Sequence, residues 1–211
     1  MAKNIYFVRH GESEGNVSDI RLPETSPLTE QGRKQAEFVA ERASKLPIDV
    51  MFSSTMVRAQ ETAKIISEKI GKGFESRDFF GERLVPSGHV GKHKDDLVVV
   101  GEIKKIRKNF GVPGFKHSDE ESFEDLKNRA AKTINFLAGR TEENILVVTH
   151  GMILRVIISY IIFGGELTAR ECGKILGVFR TNNTGITLLK YDETRATPWK
   201  IWIWNDHAHL G

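Results

Sequence analysis

Short apolar runs alternate along the chain with longer segments in which apolar residues recur every three or four positions. The short runs have the length and composition of buried strands, and the longer segments have the spacing of helices that bury one face. The predicted strands cover residues 5–8, 49–52, 74–77, 144–148, 185–191 and 199–204. The predicted helices cover residues 29–45, 56–70, 97–108, 122–138 and a segment that begins at residue 152. This alternation predicts an α/β fold with a mostly parallel central sheet and helices on both faces.

One segment departs from this alternation. Residues from about 78 to 120 are rich in Gly, His and Lys, contain Pro86 and Pro113, and hold one predicted helix. We interpret this segment as an inserted cap lobe over the C-terminal edge of the strands. The length of 211 residues suits a single domain, so residues 1–211 are expected to form one α/β domain that includes the lobe.

The composition narrows the classes of function. The chain has 31 Lys and Arg against 28 Asp and Glu, a formal charge of +3 that is compatible with an anionic small substrate and does not indicate nucleic acid as a partner. The most apolar stretch, residues 152–163, is interrupted by Arg155 and is too short for a membrane span. Cys172 is the sole cysteine, and no signal-peptide pattern follows Met1, so we expect a cytoplasmic location. No oligomeric state is predicted.

Charged and imidazole side chains occur where predicted strands end. Arg9 and His10 follow the first strand, Arg58 lies just past the second, and His150 follows the fourth. Because ligand crevices form at the carboxyl ends of parallel strands, we expect these side chains to lie together. Guanidinium groups bind phosphate oxygens in pairs, and a neutral imidazole can attack phosphorus. The pattern therefore predicts a phosphoryl-transfer site, and no cluster with metal-ligand spacing accompanies it.

Several motifs carry a resemblance to one family. Residues 9–16, Arg-His-Gly-Glu-Ser-Glu-Gly-Asn, closely resemble the signature of the histidine phosphatase superfamily, whose members include phosphoglycerate mutases. Residues 53–63 resemble the second phosphate-binding segment of that family, and residues 149–151 resemble its second histidine motif. Residues 28–36 and the closing Asn205-Asp206 also fit. The resemblance thus covers nearly the whole chain apart from the lobe.

The resemblance implies a role for each matching residue. His10 is the nucleophile that takes the phosphoryl group, and Arg9, Arg58 and His150 surround the phosphoryl oxygens. Further substrate contacts are expected from Gly11, Asn16 and Gly151. Phosphoryl transfer depends mainly on positioning and charge stabilisation, which these side chains could supply without Mg²⁺, so no metal ion or other cofactor is expected.

The resemblance also implies an acid for the leaving oxygen. Glu82 stands before Arg83, where the family usually carries an acidic residue, and a carboxyl there could protonate the leaving group and later activate water. The other carboxylates that could serve are Glu12, Glu14 and Glu121. With His10 neutral, His150 cationic and Glu82 protonated, we expect a mildly acidic to neutral pH optimum.

Three activities remain open. The first is a phosphatase acting on a small-molecule phosphomonoester, the second is a mutase that returns the phosphoryl group to the substrate, and the third is a binding module without turnover. The phosphatase is favoured because the segment after Glu82, Arg83-Leu84-Val85-Pro86, departs from the Tyr-Gly continuation of mutases. The binding module is the least favoured, because every expected catalytic residue is present.

A basic run in the lobe has two interpretations. The run consists of His89, Lys92, His93 and Lys94. Such a run is usually a solvated face, but beside a phosphate site it could also bind an anionic part of the substrate.

Overall fold

The computed structural model describes residues 2–211; Met1, the first residue of the predicted domain, lies outside the described residues. The strands are β1 (Ala2–Arg9), β2 (Val50–Ser54), β3 (Phe74–Arg77), β4 (Asn144–Thr149), β5 (Ile186–Asp192) and β6 (Trp199–Asp206). The helices are α1 (Glu14–Val17), α2 (Glu30–Ala43), α3 (Val57–Ile70), α4 (Leu97–Asn109), α5 (Phe123–Ala138), α6 (Gly151–Phe163) and α7 (Ala169–Val178). All six predicted strands are present, whereas α1 and α7 were not predicted.

The strands form one mixed sheet that is mostly parallel, as predicted. Their order is β3-β2-β4-β1-β5-β6. The first four of these strands are parallel to one another, β5 is antiparallel to β1, and β6 is antiparallel to β5. The carboxyl ends of β1, β2 and β4 therefore lie side by side at one edge of the sheet.

The apolar runs of the central strands face two separate cores. On β4, Ile145 and Val147 pack against α5 and α6, whereas Leu146 and Val148 pack against α2 and α3. All four side chains are fully buried. Successive side chains of a strand point to opposite faces, so a strand covered on both faces is apolar without interruption. This explains the uninterrupted apolar run, and it confirms that helices cover both faces.

The most apolar helix is buried inside the protein. Helix α6 follows β4 directly and buries seven of its residues, from Gly151 to Ser159. It ends at Gly164, whose φ of +60° lies in the left-handed region that favours glycine. Across residues 2–211, no helix combines the length and the apolar character that crossing a membrane requires.

Residues 78–122 connect β3 to α5 and contain α4. This lobe is joined to the loop that follows α1, because the Arg21 N–H donates to the Lys92 carbonyl at 2.9 Å and the Gly91 N–H donates to the Arg21 carbonyl at 2.9 Å. Residues of the loop and of the lobe, among them Glu82, line a cavity of about 410 Å³ together with Arg58. The lobe thus lies over the edge where the parallel strands end.

Candidate active site

The strand ends bring the predicted arginine and histidine side chains together. His10 follows β1, His150 follows β4, and Arg58 lies in the first turn of α3 just after β2. The backbone N–H of His10 donates to the Thr149 carbonyl at 2.9 Å, which joins the first and fourth strand ends. The centroids of the His10 and His150 rings are 4.9 Å apart, and Arg58 Nε lies 3.3 Å from His10 Nε2.

The contacts of His10 fix which ring nitrogen is free. Nδ1 lies 2.6 Å from the Gly11 carbonyl, and because a carbonyl only accepts, Nδ1 carries the proton. Nε2 then keeps its lone pair and accepts from Arg58. Burial of the ring, together with the positive charges of Arg58 and Arg9, holds the pKa of His10 well below its usual value. His10 is therefore a neutral imidazole whose nucleophilic nitrogen lies beside a guanidinium group.

Two buried nitrogens in this group have no hydrogen-bond partner among the described residues. They are Arg9 Nε and His150 Nδ1. The other ends of these side chains are fixed, since Arg9 Nη1 donates to the Thr181 carbonyl at 2.5 Å and His150 Nε2 lies 2.8 Å from Ser54 Oγ. Buried polar atoms are nearly always paired, so two unpaired nitrogens beside His10 indicate a place for a ligand with several acceptor oxygens.

The surroundings of His150 disfavour the cation that the sequence analysis expects. Burial comes first among the causes, and the His10, Arg58 and Arg9 charges add to it, so that the pKa of His150 lies well below its usual value. The ring is therefore neutral. It still donates one hydrogen bond from Nδ1 when the Ser54 hydroxyl donates to Nε2.

Glu82 ties the base of the lobe to the start of α6. Its Oε2 accepts from the Met152 N–H and its Oε1 accepts from the Ile153 N–H, each at 3.0 Å. Oε1 also accepts from the Arg83 N–H at 3.0 Å. The Met152 and Ile153 N–H groups belong to the first turn of α6 and have no partner within that helix. They hold the carboxyl group of Glu82 in a fixed place next to the end of β4, which His150 follows. Glu82 shares the cavity of about 410 Å³ with Arg58.

The alternative carboxylates are placed differently. Glu12 accepts from Thr29 Oγ1 at 2.7 Å, Glu14 is exposed, and Glu121 forms a mostly buried ion pair with Arg129. Glu24 lines the same cavity as Glu82 and Arg58, and the sequence reasoning did not single it out. Of the four predicted carboxylates, Glu82 is the one that shares this cavity with Arg58.

Gly11 is required by packing. Its N–H donates to Thr62 Oγ1 at 3.1 Å. A Cβ at this position would lie far inside van der Waals contact with the Gly32 carbonyl. Gly151 is also confined, because a Cβ there would lie 2.7 Å from Thr181 Oγ1 and 3.5 Å from Arg9 Nε.

Asn16 lies at the rim of the site and is exposed. Its Oδ1 accepts from the Ser13 N–H at 3.0 Å and from Asn183 Nδ2 at 3.4 Å. Asn183 Nδ2 also donates to the His10 carbonyl at 3.0 Å. A residue distant in sequence therefore holds the backbone at His10 in place. Sequence reasoning missed this support. The available signal was the polar run Thr181-Asn182-Asn183-Thr184 just before a predicted strand.

The basic run of the lobe is not a uniformly solvated face. His89 is buried, and its Nε2 lies 2.8 Å from a carboxylate oxygen of Glu102. His117 Nε2 lies 3.3 Å from the other oxygen of the same carboxylate. Lys92 and His93 are exposed, and Lys94 is half-buried. Within residues 2–211, no group of three or more His, Cys, Asp or Glu is arranged to hold a metal ion.

Comparison with known proteins shows the family and the fold of this chain. The family model of the histidine phosphatase superfamily, branch 1, matches residues 5–207. Phosphoglycerate mutase-like protein 4 of Arabidopsis thaliana is 31% identical over 220 residues, covering 98% of this chain and 86% of that protein. YhfR of Bacillus stearothermophilus has the same fold, with a TM-score of 0.82, 22% identity and coverage of 99% and 100%. The α-ribazole phosphatase of Shigella flexneri also has it, with a TM-score of 0.80, 20% identity and coverage of 97% of each chain.

Proposed function

The chain belongs to the histidine phosphatase superfamily, branch 1, and is a phosphoryl-transfer enzyme of the phosphatase or mutase type; we propose that it is a metal-independent phosphatase that hydrolyses a small phosphomonoester through a phosphohistidine on His10. One observation carries the proposal. A neutral imidazole presents Nε2 beside Arg58, and two buried nitrogens, Arg9 Nε and His150 Nδ1, have no partner in the part of the chain that the structure describes. A phosphoryl group in front of His10 would accept from both.

In the first step, the lone pair of His10 Nε2 attacks phosphorus, and the P–N bond forms as the P–O bond to the leaving group breaks. The Nδ1 proton stays on the ring and donates to the Gly11 carbonyl. Arg9, Arg58 and His150 donate to the phosphoryl oxygens, where the negative charge is concentrated. An alkoxide is a poor leaving group, so Glu82 gives it a proton as it departs.

In the second step, water attacks phospho-His10. Glu82, now a carboxylate, takes the proton from the attacking water and returns to its starting state. The P–N bond breaks, its electron pair returns to Nε2, and inorganic phosphate leaves. The lobe and the loop after α1 cover this site as a cap. We also propose that the protein is cytoplasmic.

The mutase alternative is supported by the similarity to phosphoglycerate mutase-like protein 4 of Arabidopsis thaliana. A mutase passes the phosphoryl group from His10 to a second hydroxyl of the substrate, and water attack is slow. The two activities differ in the fate of phospho-His10, since a phosphatase releases inorganic phosphate at the rate of turnover. The third possibility, a binding module, would bind a phosphorylated ligand without forming phospho-His10.

The test is hydrolysis of phenyl phosphate and butyl phosphate in the presence of EDTA by wild type, His10→Ala and Glu82→Gln. We expect His10→Ala to lose activity on both esters. Glu82→Gln should lose about 10²–10⁴-fold on butyl phosphate and far less on phenyl phosphate, because phenoxide needs little protonation. Activity retained by His10→Ala, or activity abolished by EDTA and restored by Mg²⁺, would overturn the mechanism. Label trapped on His10 without release of phosphate would favour the mutase.

A further inference from the structure

The backbone strain of the protein is concentrated beside the nucleophile. Among residues 2–211, two residues other than glycine have a positive φ, Thr184 at +57° and Asn205 at +48°. The turn of residues 182–185, just before β5, joins them. Its Gly185 N–H donates to the Asn182 carbonyl at 3.0 Å, and its Asn182 N–H donates to Asn205 Oδ1 at 2.7 Å. The two strained residues therefore belong to one assembly, and we call residues 182–185 the support turn.

Thr184 is the more strained of the two residues. Asparagine tolerates a positive φ, whereas a β-branched side chain rarely adopts one. The third position of a turn often has this conformation, and glycine or asparagine usually occupies it. Strained conformations persist only where surrounding contacts hold them, and they cluster at functional sites. Thr184 is also fully buried, so its contacts must account for its conformation.

The backbone of the support turn holds the segment that carries the nucleophile. The Thr184 N–H donates to the Arg9 carbonyl at 2.9 Å and also to the His10 carbonyl at 3.4 Å. Asn183 Nδ2 donates to the same His10 carbonyl at 3.0 Å. A change of φ at Thr184 would turn its N–H relative to the strand that follows. The bonds to Arg9 and His10 therefore depend on the strained conformation.

The side chain of Thr184 is held by His209. This histidine lies in a short helical turn, Ala208–Leu210, that follows β6. Thr184 Oγ1 lies 2.7 Å from the Asn183 carbonyl and 3.0 Å from His209 Nε2. A carbonyl only accepts, so the hydroxyl gives its proton to Asn183, and His209 Nε2 is the donor to Oγ1.

Arg42 completes this chain of hydrogen bonds from the opposite side of the ring. Its Nη1 lies 3.4 Å from His209 Nδ1, and a guanidinium only donates, so Nδ1 keeps its lone pair. The contacts of both ring nitrogens thus specify one neutral tautomer of His209. Arg42 lies on α2 and is itself fixed by an ion pair with Asp206 at the end of β6.

The charged and titratable groups around His209 also favour its neutral form. Burial lowers the pKa of His209, the positive charge of Arg42 lowers it further, and His207 adds to this effect, while Asp206 opposes it. A proton on Nδ1 would place a second donor against Arg42. Protonation of His209 therefore breaks the chain of hydrogen bonds that reaches Thr184.

We infer that His209 is a positioning residue for phosphoryl transfer: its neutral ring holds Thr184 in the left-handed conformation, and Thr184 holds the backbone of His10 in the geometry for attack. The inference rests on the proposed function, since that proposal makes His10 the nucleophile. His209 touches no reacting atom and acts through Thr184. Activity should therefore depend on the presence of His209 and on its protonation state.

Glycine at position 184 allows a direct test of this coupling. Thr184→Gly adopts a positive φ without strain and keeps the backbone N–H, but it removes the hydroxyl that His209 binds. The assay measures kcat and KM on phenyl phosphate, above the usual histidine pKa of about 6.5, for wild type, His209→Ala, Thr184→Gly and the double variant. His207→Ala is the control, because His207 is an exposed histidine of the same segment. Thermal unfolding verifies that each variant is folded.

We expect His209→Ala to lower kcat about tenfold with little change in KM, because a misplaced nucleophile slows attack more than it weakens binding. The double variant should lie within about twofold of Thr184→Gly, and His207→Ala should match wild type. A purely structural role would give the same loss in both backgrounds. That result, or an unchanged kcat in His209→Ala, would overturn the inference.

His209→Gln tests the protonation state. A glutamine amide can donate to Thr184 Oγ1 and does not titrate, so this variant should keep most of the wild-type kcat. As the pH falls, wild type should lose kcat when His209 takes up a proton, and His209→Gln should keep its kcat to a lower pH. The same acid limb in both proteins would contradict a role for the neutral ring.

Failure of the proposed function would look different. In that case wild type would hydrolyse neither phenyl phosphate nor butyl phosphate, and hydrogen exchange of the Thr184 amide decides the inference alone. This N–H is bonded to the Arg9 carbonyl, so it should exchange slowly in wild type and in His207→Ala, and about tenfold or more faster in His209→Ala. Equal protection in wild type and His209→Ala would show that His209 does not hold the support turn.

Discussion

Replacing Arg129 with methionine should loosen the loop that carries Glu82. Arg129 lies on α5, and its Nε and Nη2 donate to the two carboxylate oxygens of Glu121 at 2.8 and 2.6 Å. The same guanidinium donates to the carbonyls of Gly81 and Glu82. Glu121 in turn accepts from the Leu84 N–H at 2.9 Å. The pair therefore holds the chain on both sides of the proposed acid.

The cost follows from the burial of the pair. The side chains of Arg129 and Glu121 are only 14% and 13% exposed, so Arg129→Met leaves a mostly buried carboxylate without its partner. Breaking such a pair costs about 3–5 kcal/mol. For a domain of this size, that loss lowers Tm by roughly 6–20 °C at about 2–4 °C per kcal/mol. A total stability in the middle of the typical range of about 5–15 kcal/mol leaves the variant folded at low temperature.

Chemical unfolding measures the stability, and two further variants control the interpretation. Lys132→Met removes a charge from the same helix, but Lys132 is 62% exposed and should cost less than about 1 kcal/mol. Adding Glu121→Gln to Arg129→Met removes the unpaired charge and should recover part of the loss. An Arg129→Met protein within about 1 kcal/mol of wild type would refute the assignment of a structural clamp.

The same variant separates a positioning role from simple destabilisation. Arg129 touches no reacting atom and acts through Glu82, so activity on butyl phosphate should fall more than activity on phenyl phosphate, measured well below Tm. Equal losses on the two esters would contradict positioning of the acid. Arg129→Lys keeps the charge without the planar pair of donors and should rescue only part of the difference.

Further predictions concern the histidine pair and its loop. Gly11→Ala should destabilise the protein by about 1–3 kcal/mol or more because of the contact with the Gly32 carbonyl, whereas Gly101→Ala, with open space around it in α4, should be neutral or stabilising in the same unfolding assay. Nuclear magnetic resonance titration of the His10 ring should give a pKa below 6.5, since burial and the flanking arginines disfavour the cation; a value at or above 6.5 would contradict the site. The unfolded chain takes up protons below about pH 6.5 that the buried rings of His10 and His150 exclude, so unfolding free energy should fall as pH drops below that value, by up to about 1.4 kcal/mol per pH unit for each ring. His150→Gln should reduce this slope, and an unchanged slope would show that His150 titrates normally.

Part of the site could be predicted because phosphate recognition depends on short segments at strand ends. The segments around His10, Arg58 and His150 each follow an apolar run, and a parallel sheet places the carboxyl ends of its strands at one edge. The three ends meet because β2, β4 and β1 are neighbours in the sheet. This is why the fold class and the cluster of arginine and histidine side chains followed from the pattern alone.

Other parts depend on contacts that no local pattern contains. Asn183 supports His10 because β5 runs antiparallel beside β1, and neither the strand order nor that direction follows from periodicity. His89 looked solvated because its partner, Glu102, lies on a different element. Helix α7 was missed because Gly173 and Gly177 weaken its helical pattern, although the Thr168-x-x-Glu171 capping box was an available signal.

The site departs from the rules of stable packing where the proposed chemistry needs it to. A buried pair of neutral histidines excludes protons that the unfolded chain would take up, and the buried Arg9 Nε and His150 Nδ1 have no hydrogen-bond partner among residues 2–211. Both features lower the stability of the folded state, yet both become favourable once an anion with several oxygens lies beside His10.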